Sequence, residues 1–375
     1  MRIAHVIRSL GLGGGERVAL DLACGQQRRG AEVLALSLEE PPDGPMAADY
    51  AARDVEVVRV PKRAGGVDPL LWPRLAAALG RRAVDVVHTH NPPPLIYGAP
   101  AARLARARAV HTKHGANAMS SRRRLLARAA ARCCHAYVAV SAATAEQARR
   151  DRDVDARKLS TIENGIDLSR FGPSPATRAE VRDALAIPPH AFVVGTVGRL
   201  VAAKNQPRLV RAMAPLLSST VRLVIVGDGE EHAALDRAVA ALGDRAPYVH
   251  RLGARGDVPR LLTSFDLFAL SSDSEGLPLV VIEAMATALP VVSTAVGGIP
   301  AAVLDGVTGA LVPLGDGSRD DDHGALSARL GALAASPALG VSWGEEGRRR
   351  ALAQYSAERM VDDYFAVYER IRSHE

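Results

Sequence analysis

The 375-residue sequence predicts an α/β fold of two doubly wound parallel-sheet domains, and three observations carry that expectation. Short runs rich in Val and Ile alternate with helix-length segments along the whole chain. A turn signal, Asn164-Gly165, and a Pro/Gly-rich break, Phe171-Gly172-Pro173-Ser174-Pro175, interrupt that alternation near the middle, and it then restarts. The length also exceeds the usual size of a single domain.

In the first half, residues 3–7, 33–38, 55–60, 84–89, 109–112 and 137–140 read as strands, because each is short, apolar and bounded by turn residues. Residues 15–29, 70–82, 95–106 and 122–134 read as the helices between them. In the second half, strands are expected at 192–197, 221–226, 249–252, 267–270, 291–293 and 309–312, and helices at 206–217, 230–242, 257–264 and 278–287. Strands joined through helices make a parallel sheet covered on both faces. Two such sheets with a cleft between them would bind ligands at the carboxyl ends of their strands. The acidic stretch 316–322 is expected to be an exposed loop. The domains are placed at 1–170 and 171–355, with 356–375 as a separate C-terminal helix.

Composition narrows the function. No stretch approaches 18 uninterrupted apolar residues, so no transmembrane helix is expected. The N-terminus MRIAHVIRSL reads as a first strand, not as a signal peptide. The three cysteines, Cys24, Cys133 and Cys134, form neither a disulfide framework nor a spaced metal-ligand pattern, which fits a reducing, cytoplasmic setting. The net charge of +6 is uneven: residues 1–170 hold 27 Lys and Arg against 17 Asp and Glu. No carboxylate occurs from Val86 to Ala145, where Arg103, Arg106, Arg108, Lys113, Arg122, Arg123, Arg124, Arg128 and Arg132 fall. Such a field attracts phosphates or anionic lipid, and it equally describes a solvated Arg-rich surface. Nucleic acid is not an expected partner, since aromatics are 4% and none interleave with the arginines.

Three segments carry candidate chemistry. Gly11-Leu12-Gly13-Gly14-Gly15-Glu16 follows the first strand and opens a helix, where free N–H groups meet an anion. The spacing only partly fits a nicotinamide-binding G-x-G-x-x-G, because Glu16 stands at the last position; Glu39 and Glu40 keep a ribose-binding acid open. Gly198-Arg199-Leu200-Val201-Ala202-Ala203-Lys204-Asn205 follows a strand and places two cations five residues apart before a helix. Arginine supplies a bidentate fork and lysine a point charge, so the pair suits a diphosphate as well as a solvated loop. Third, Ser271–Glu283, SSDSEGLPLVVIE, runs from strand to helix. Pro278 suits a first helical turn, and the amides of Gly276 and Leu277 suit a phosphate or a sugar hydroxyl. If the helix began at once, Glu275 and Glu283 would share one side. The apolar neighbours Val280, Val281, Ile282, Ala284 and Met285 predict a buried Glu283, which would need partners.

With these residues together, the chain resembles the large family 4 of GT-B-fold retaining glycosyltransferases over essentially its full length. The resemblance rests on Glu275 and Glu283 in a Glu-x7-Glu arrangement, with Pro290-Val291-Val292 and Gly297-Gly298-Ile299-Pro300 after it. Val197-Gly198-Arg199-Leu200 with Lys204-Asn205, residues 224–229 (VIVGDG), residues 163–167 (ENGID) and Lys113-His114-Gly115 agree. The resemblance implies that Arg199 and Lys204 hold the donor diphosphate, that Glu275 with Gly276 and Leu277 holds the sugar, and that Glu283 binds the ribose. It implies a nucleotide-sugar site that includes Gly198 and Gly227, with Gly253 beside the base. It places Gly13 and Gly14 near the diphosphate or acceptor and His114 near the reacting carbon. A hexose-type sugar would pass, with retention, from a nucleotide-sugar (UDP on family frequency) to a glycan, lipid-linked or small-molecule acceptor. No cofactor and no metal is expected, and no Asp-x-Asp motif sits in a fitting place. The family's last helix commonly crosses back onto the first domain, and 361–371, with Tyr364, Phe365, Val367 and Tyr368, fits that crossing. The rivals are an NAD-dependent oxidoreductase built on the glycine loop and a non-catalytic nucleotide-sugar-binding protein. The Ser121–Arg132 segment, with Leu125, Leu126 and the basic residues of 103–132, is a candidate for peripheral contact with a membrane's inner face.

Overall fold

The computed structural model describes residues 1–11, 13–39, 44, 46–63, 65–115, 119–315 and 322–373. It divides into two units, Met1–Ile166 with Ala357–Glu375, and Asp167–Ser356. Leu12, Glu40 and most of the acidic 316–322 stretch lie outside the described residues.

Unit 1 runs β1 (Arg2–Ile7), α1 (Gly14–Arg28), β2 (Glu32–Ser37), α2 (Ala47–Ala51), β3 (Glu56–Arg59), α3 (Leu71–Gly80), β4 (Val86–His90), α4 (Pro92–Leu104), β5 (Arg108–Lys113), α5 (Ser121–Ala131), β6 (Ala136–Ala139), α6 (Ala142–Arg150) and β7 (Leu159–Thr161). Its seven strands are parallel in the order β3-β2-β1-β4-β5-β6-β7. The order reverses between β1 and β4, and that is where a doubly wound sheet opens a crevice at its carboxyl edge. Apolar side chains such as Ala4, Val6, Leu34, Leu36, Val87 and Ala109 pack under α3 and α4.

Unit 2 runs α7 (Pro175–Ala184), β8 (Phe192–Val197), α8 (Gln206–Met213), β9 (Val221–Val226), α9 (His232–Ala240), β10 (Val249–Arg251), α10 (Val258–Leu262), β11 (Leu267–Leu270), α11 (Leu279–Ala286), β12 (Val291–Thr294), α12 (Ile299–Ala302), β13 (Gly309–Val312), α13 (Asp322–Ala335) and α14 (Pro337–Gln354). The six parallel strands stand in the order β10-β9-β8-β11-β12-β13, with the reversal between β8 and β11. Leu209, Met213, Leu223, Ile225, Leu267 and Val292 lie in its core.

The last helix, α15 (Ala357–Ser373), packs on α1 of unit 1. Gly25 makes that approach possible, since any Cβ there would strike the Val361 side chain. Met360 Sδ accepts from the Gly165 N–H at 3.2 Å, and Tyr364 and Tyr368 are fully buried. β7 and α6 lack an apolar run of their own, because β7 reads Leu-Ser-Thr and α6 is Ala-rich and polar. They form because the neighbouring sheet edge and core are already in place.

Candidate active site

The sheet reversal of unit 2 gathers the donor-side candidates. Arg199 and Lys204 follow β8, and Ser271–Glu275 follow β11, which is β8's neighbour in the sheet. Lys204 Nζ donates to Glu275 Oε1 at 2.6 Å, and Ser272 Oγ donates to the same oxygen at 2.6 Å. The lysine and glutamate side chains are 20% and 8% exposed, so the pair sits in a weakly screened setting. An ammonium has three N–H donors, and a phosphate oxygen can take one that Glu275 leaves. Arg199 is exposed, and among the described residues its guanidinium makes no ion pair. Its backbone carbonyl accepts from Gln206 Nε2 at 2.9 Å, which fixes the loop and leaves the cation outward.

A residue that sequence reasoning passed over holds the two turns together. Arg208, on the first turn of α8, is 1% exposed. It donates to the Ser271 carbonyl at 2.8 Å and pairs with Asp273 at 2.7 Å. Backbone bonds add to the clamp: Asp273 N–H donates to the Ala203 carbonyl at 2.8 Å, and Ser271 Oγ to the Asn205 carbonyl at 2.7 Å. Asn205 caps α8 in the left-handed region at φ 43° and accepts from Arg208 N–H at 3.3 Å. The only sequence signal for Arg208 was a cation in a helix's first turn, where the macrodipole disfavours it.

The glycines at the strand ends are close backbone approaches. Gly227, at φ 143°, lies so near Gly198 that a Cβ would fall onto the Gly198 carbonyl oxygen. Gly198 N–H donates to the Val226 carbonyl at 2.9 Å, and Gly227 N–H to the Gly253 carbonyl at 2.8 Å. Gly198, Gly227 and Gly253 therefore form a continuous row at the ends of β8, β9 and β10. After β12, Gly297 at φ 59° backs onto the Glu275 carbonyl, and Gly298 N–H donates to the Gly276 carbonyl at 2.5 Å. Among the described residues, the Gly276 N–H donates to no acceptor.

Two local expectations are corrected here. Pro278 is the extended N-cap residue of α11 at φ −71° and ψ 123°, so the helix begins after it and Glu275 belongs to the preceding turn. Glu283 is half-buried, not buried, because α11 turns that position away from the apolar stripe of Val281, Ile282, Ala284 and Met285. Leu277 is buried.

Unit 1 holds Gly13, Gly14 and His114 around its own reversal. Gly13 is the extended N-cap of α1 and Gly14 is exposed. His114 follows β5 and lies against this turn, where a Cβ on Gly15 would meet its Cδ2 at 3.4 Å. His114 is not a solitary histidine. Its Nε2 lies 3.0 Å from His90 Nδ1, and His90 Nε2 lies 2.9 Å from His5 Nδ1. His5 Nε2 reaches Gln26 Oε1 at 2.8 Å, while His88 bonds Tyr368 Oη and Thr112 Oγ1, each at 2.7 Å. His111 bonds Thr89 Oγ1 at 2.9 Å. Burial lowers His5 and His114 to about 4 and His111 to about 3; burial and neighbouring histidines hold His88 and His90 well below the usual imidazole range. All five are neutral at pH 7. The sequence did carry a signal, since His88 and His90 alternate in Val-Val-His-Thr-His and so share one face of β4, with His5 opposite His88.

Glu39 is exposed and paired with Arg8 at 2.5 Å. Lys113, counted above in the basic field, is buried and paired with Asp153 at 2.6 Å, so it adds nothing to the surface charge. Arg122, Arg123 and Leu125 are exposed on α5, whereas Leu126 leans on the core. Leu70 and Leu104 are also exposed on unit 1. The three cysteines are free thiols, and burial raises Cys134 to about 12. Among the described residues, no helix is long and apolar enough to cross a membrane.

Two parallel, doubly wound sheets of seven and six strands are the architecture of the GT-B class. The comparisons agree. Residues 12–170 match the Glycosyltransferase Family 4 model and residues 191–326 the Glycosyl transferases group 1 model. The chain belongs to these GT-B-fold glycosyltransferases. It is 31% identical over 251 residues to UDP-Gal:alpha-D-GlcNAc-diphosphoundecaprenol alpha-1,3-galactosyltransferase of Escherichia coli, a match covering 64% of this chain and 65% of that protein. It is 40% identical over 175 residues to D-inositol 3-phosphate glycosyltransferase of Mycobacterium sp. (strain KMS), covering 45% of this chain and 39% of that one. The matches thus span less than two thirds of these relatives' own length. The fold matches the crystal structure of Anabaena HepE in complex with UDP at a TM-score of 0.85 and 22% identity, covering 99% of this chain and 100% of that one.

Proposed function

We propose that the protein is a retaining, metal-independent glycosyltransferase that moves a hexose-type sugar from a nucleoside-diphosphate sugar, UDP first among the bases, to an acceptor hydroxyl. The observation that carries this reading is the Lys204–Glu275 pair at the β8/β11 reversal, with Arg199 on the same turn as Lys204. Arg199 and Lys204 hold the diphosphate and take up the negative charge that builds as the bond from the anomeric carbon to the phosphate oxygen breaks. Fixed cations of this kind supply the main stabilisation of a departing diphosphate, and they do the work a metal would otherwise do.

Glu275, with the amides of Gly276 and Leu277, holds the sugar hydroxyls, Glu283 the ribose, and Gly198, Gly227 and Gly253 admit the nucleotide to the strand ends. Glu275 is not cast as a nucleophile: Oε1 already accepts from both Lys204 and Ser272, which stabilises the carboxylate as it stands. The sugar passes through an oxocarbenium-like state. The acceptor oxygen forms the new bond on the face the diphosphate leaves, and its proton goes to a phosphate oxygen. Gly13 and Gly14 are assigned to the diphosphate or the acceptor, and His114 to the sugar.

The first-named relative acts on a lipid diphosphate, and the exposed Arg122, Arg123 and Leu125 of α5 favour a lipid-linked acceptor and peripheral contact with an anionic, cytoplasmic leaflet. Co-sedimentation with anionic vesicles at low salt is expected, and no binding there removes that part. The reaction itself is tested by product release from a panel of UDP-, GDP- and ADP-sugars with EDTA present, followed by anomeric analysis of the product. Turnover with retention supports the reading. Turnover only on metal addition, inversion, or binding of NAD alone contradicts it.

A further inference from the structure

The buried polar centre of unit 1 has a direction. Each neutral imidazole carries one donor and one acceptor nitrogen, so fixing one bond in a series of rings fixes all of them. The series runs His114 Nε2 to His90 Nδ1 at 3.0 Å, His90 Nε2 to His5 Nδ1 at 2.9 Å, and His5 Nε2 to Gln26 Oε1 at 2.8 Å. It ends on an amide oxygen that can only accept, while the Gln26 amide nitrogen donates to Tyr368 Oη at 3.1 Å. His5 is then the Nε2–H tautomer, and its Nδ1 accepts from His90 Nε2–H. His90 Nδ1 in turn accepts from His114 Nε2–H. His114 Nδ1 is left with its lone pair, and among the described residues it has no partner. On the other branch, Tyr368 accepts from Gln26 and donates to His88 Nδ1, so that His88 Nε2–H goes to Thr112.

Two other uses of this cluster fail on the same bonds. The ring nitrogens of His5, His88 and His90 lie within 4.8 Å of one another, close enough for a metal ion. Every lone pair in that trio is already engaged, on His90, Tyr368 or His114. Nor is the series a proton relay, because the Gln26 amide at its end cannot take up a proton.

We propose that Gln26, held by Tyr368, is a positioning residue that fixes His114 as its Nε2–H tautomer through His5 and His90, so that Nδ1 faces a donor-sugar hydroxyl as a hydrogen-bond acceptor. The assignment of that hydroxyl rests on the proposed role of His114. The consequence is a preference: a sugar carrying a hydroxyl at that place donates to Nδ1, whereas a carboxylate there would set lone pair against lone pair.

The test is a long-range 1H–15N spectrum of the full chain with 15N-labelled histidine, the His114 signals being identified by their loss in His114→Gln. The expected result is a proton on His114 Nε2 in the native protein and a mixture of tautomers in Gln26→Leu. A proton on Nδ1 in the native protein overturns the proposal, as does a Gln26→Leu protein whose His114 tautomer is unchanged. Tyr368→Phe, which frees the Gln26 amide to turn, is the second variant should Gln26→Leu not fold; it too should mix the tautomers. In turnover, Gln26→Leu should raise the donor KM in proportion to the fall in the His114 Nε2–H population, about twofold for an even mixture and about tenfold if a tenth remains, with kcat within a few fold of native. A KM that does not move while the tautomer does overturns the link to the sugar. If the native protein turns over no nucleotide-sugar, the proposed function falls, and the tautomer lock is judged by the spectrum alone.

Discussion

Arg199 and Lys204 are both assigned to the diphosphate, yet their surroundings separate them. Arg199 is exposed and engages the fold through its backbone, so Arg199→Ala should change unfolding free energy by no more than about 0.5 kcal/mol, as at most surface positions. The same change should lower kcat/KM by about 10²–10³, the usual cost of one donor to a developing oxyanion. Lys204→Ala should lose a similar factor in activity and also destabilise unit 2, by about 1–3 kcal/mol, because it strips a largely buried carboxylate of its cation. Denaturant unfolding beside donor kinetics checks both, and equal stability losses would contradict the distinction. At this scale the sequence showed Arg199, Lys204, Glu275 and Glu283 through their spacing. It could not show that Lys204 and Glu275, 71 residues apart, meet, nor that Arg208 is buried. Those facts depend on β8 and β11 being neighbours, which no local pattern encodes.

The elements follow the same division. The Val- and Ile-rich strands were legible because burial on both faces demands such residues, and β8, β9, β11 and β13 occupy the expected spans. Helix ends were less legible, because they are set by caps: α5 stops at Ala131, and α11 starts after Pro278. The glycine row at the strand ends was visible as motif, and the structure supplies its reason. Gly227→Ala puts a Cβ onto the Gly198 carbonyl at a backbone angle that L-residues rarely adopt. It should cost about 2–4 kcal/mol and move the loop that carries Arg199. Thermal unfolding and nucleotide titration read both effects, and a native-like Tm with native affinity would refute the packing argument.

Across the whole molecule, the neutral histidines make unit 1 the acid-sensitive half. Their folded pKa values lie below the unfolded value of about 6.5, so the unfolded chain binds more protons as the pH falls. The stability they support is complete above about pH 6.5 and declines as the pH drops towards 4. His5, buried and held at about 4, accounts for about 3 kcal/mol of that loss. Trp72 lies in unit 1 and Trp343 in unit 2, so single-tryptophan variants report each unit separately. Trp72 fluorescence should signal acid unfolding at a higher pH than Trp343, and coincident or reversed transitions would contradict the account. The two-unit plan and the glycosyltransferase resemblance were readable in the sequence. Of the histidine network only the His88–His90 alternation on β4 was legible, because the other members come from β1, β5 and α1 and the network closes only when α15 brings Tyr364 and Tyr368 to it.

The proposed function stands or falls on a grip of Arg199 and Lys204 of unit 2 on a nucleoside diphosphate. The most direct measurement is calorimetric titration of UDP and, separately, NAD into the native protein, Arg199→Ala and Lys204→Ala, all with EDTA present. UDP should bind the native protein and bind about tenfold or more weakly to each variant, one charge-assisted contact being worth about 1.5–3 kcal/mol, and NAD should not bind. NAD binding in place of UDP, or UDP binding that neither substitution weakens, would contradict the proposed function.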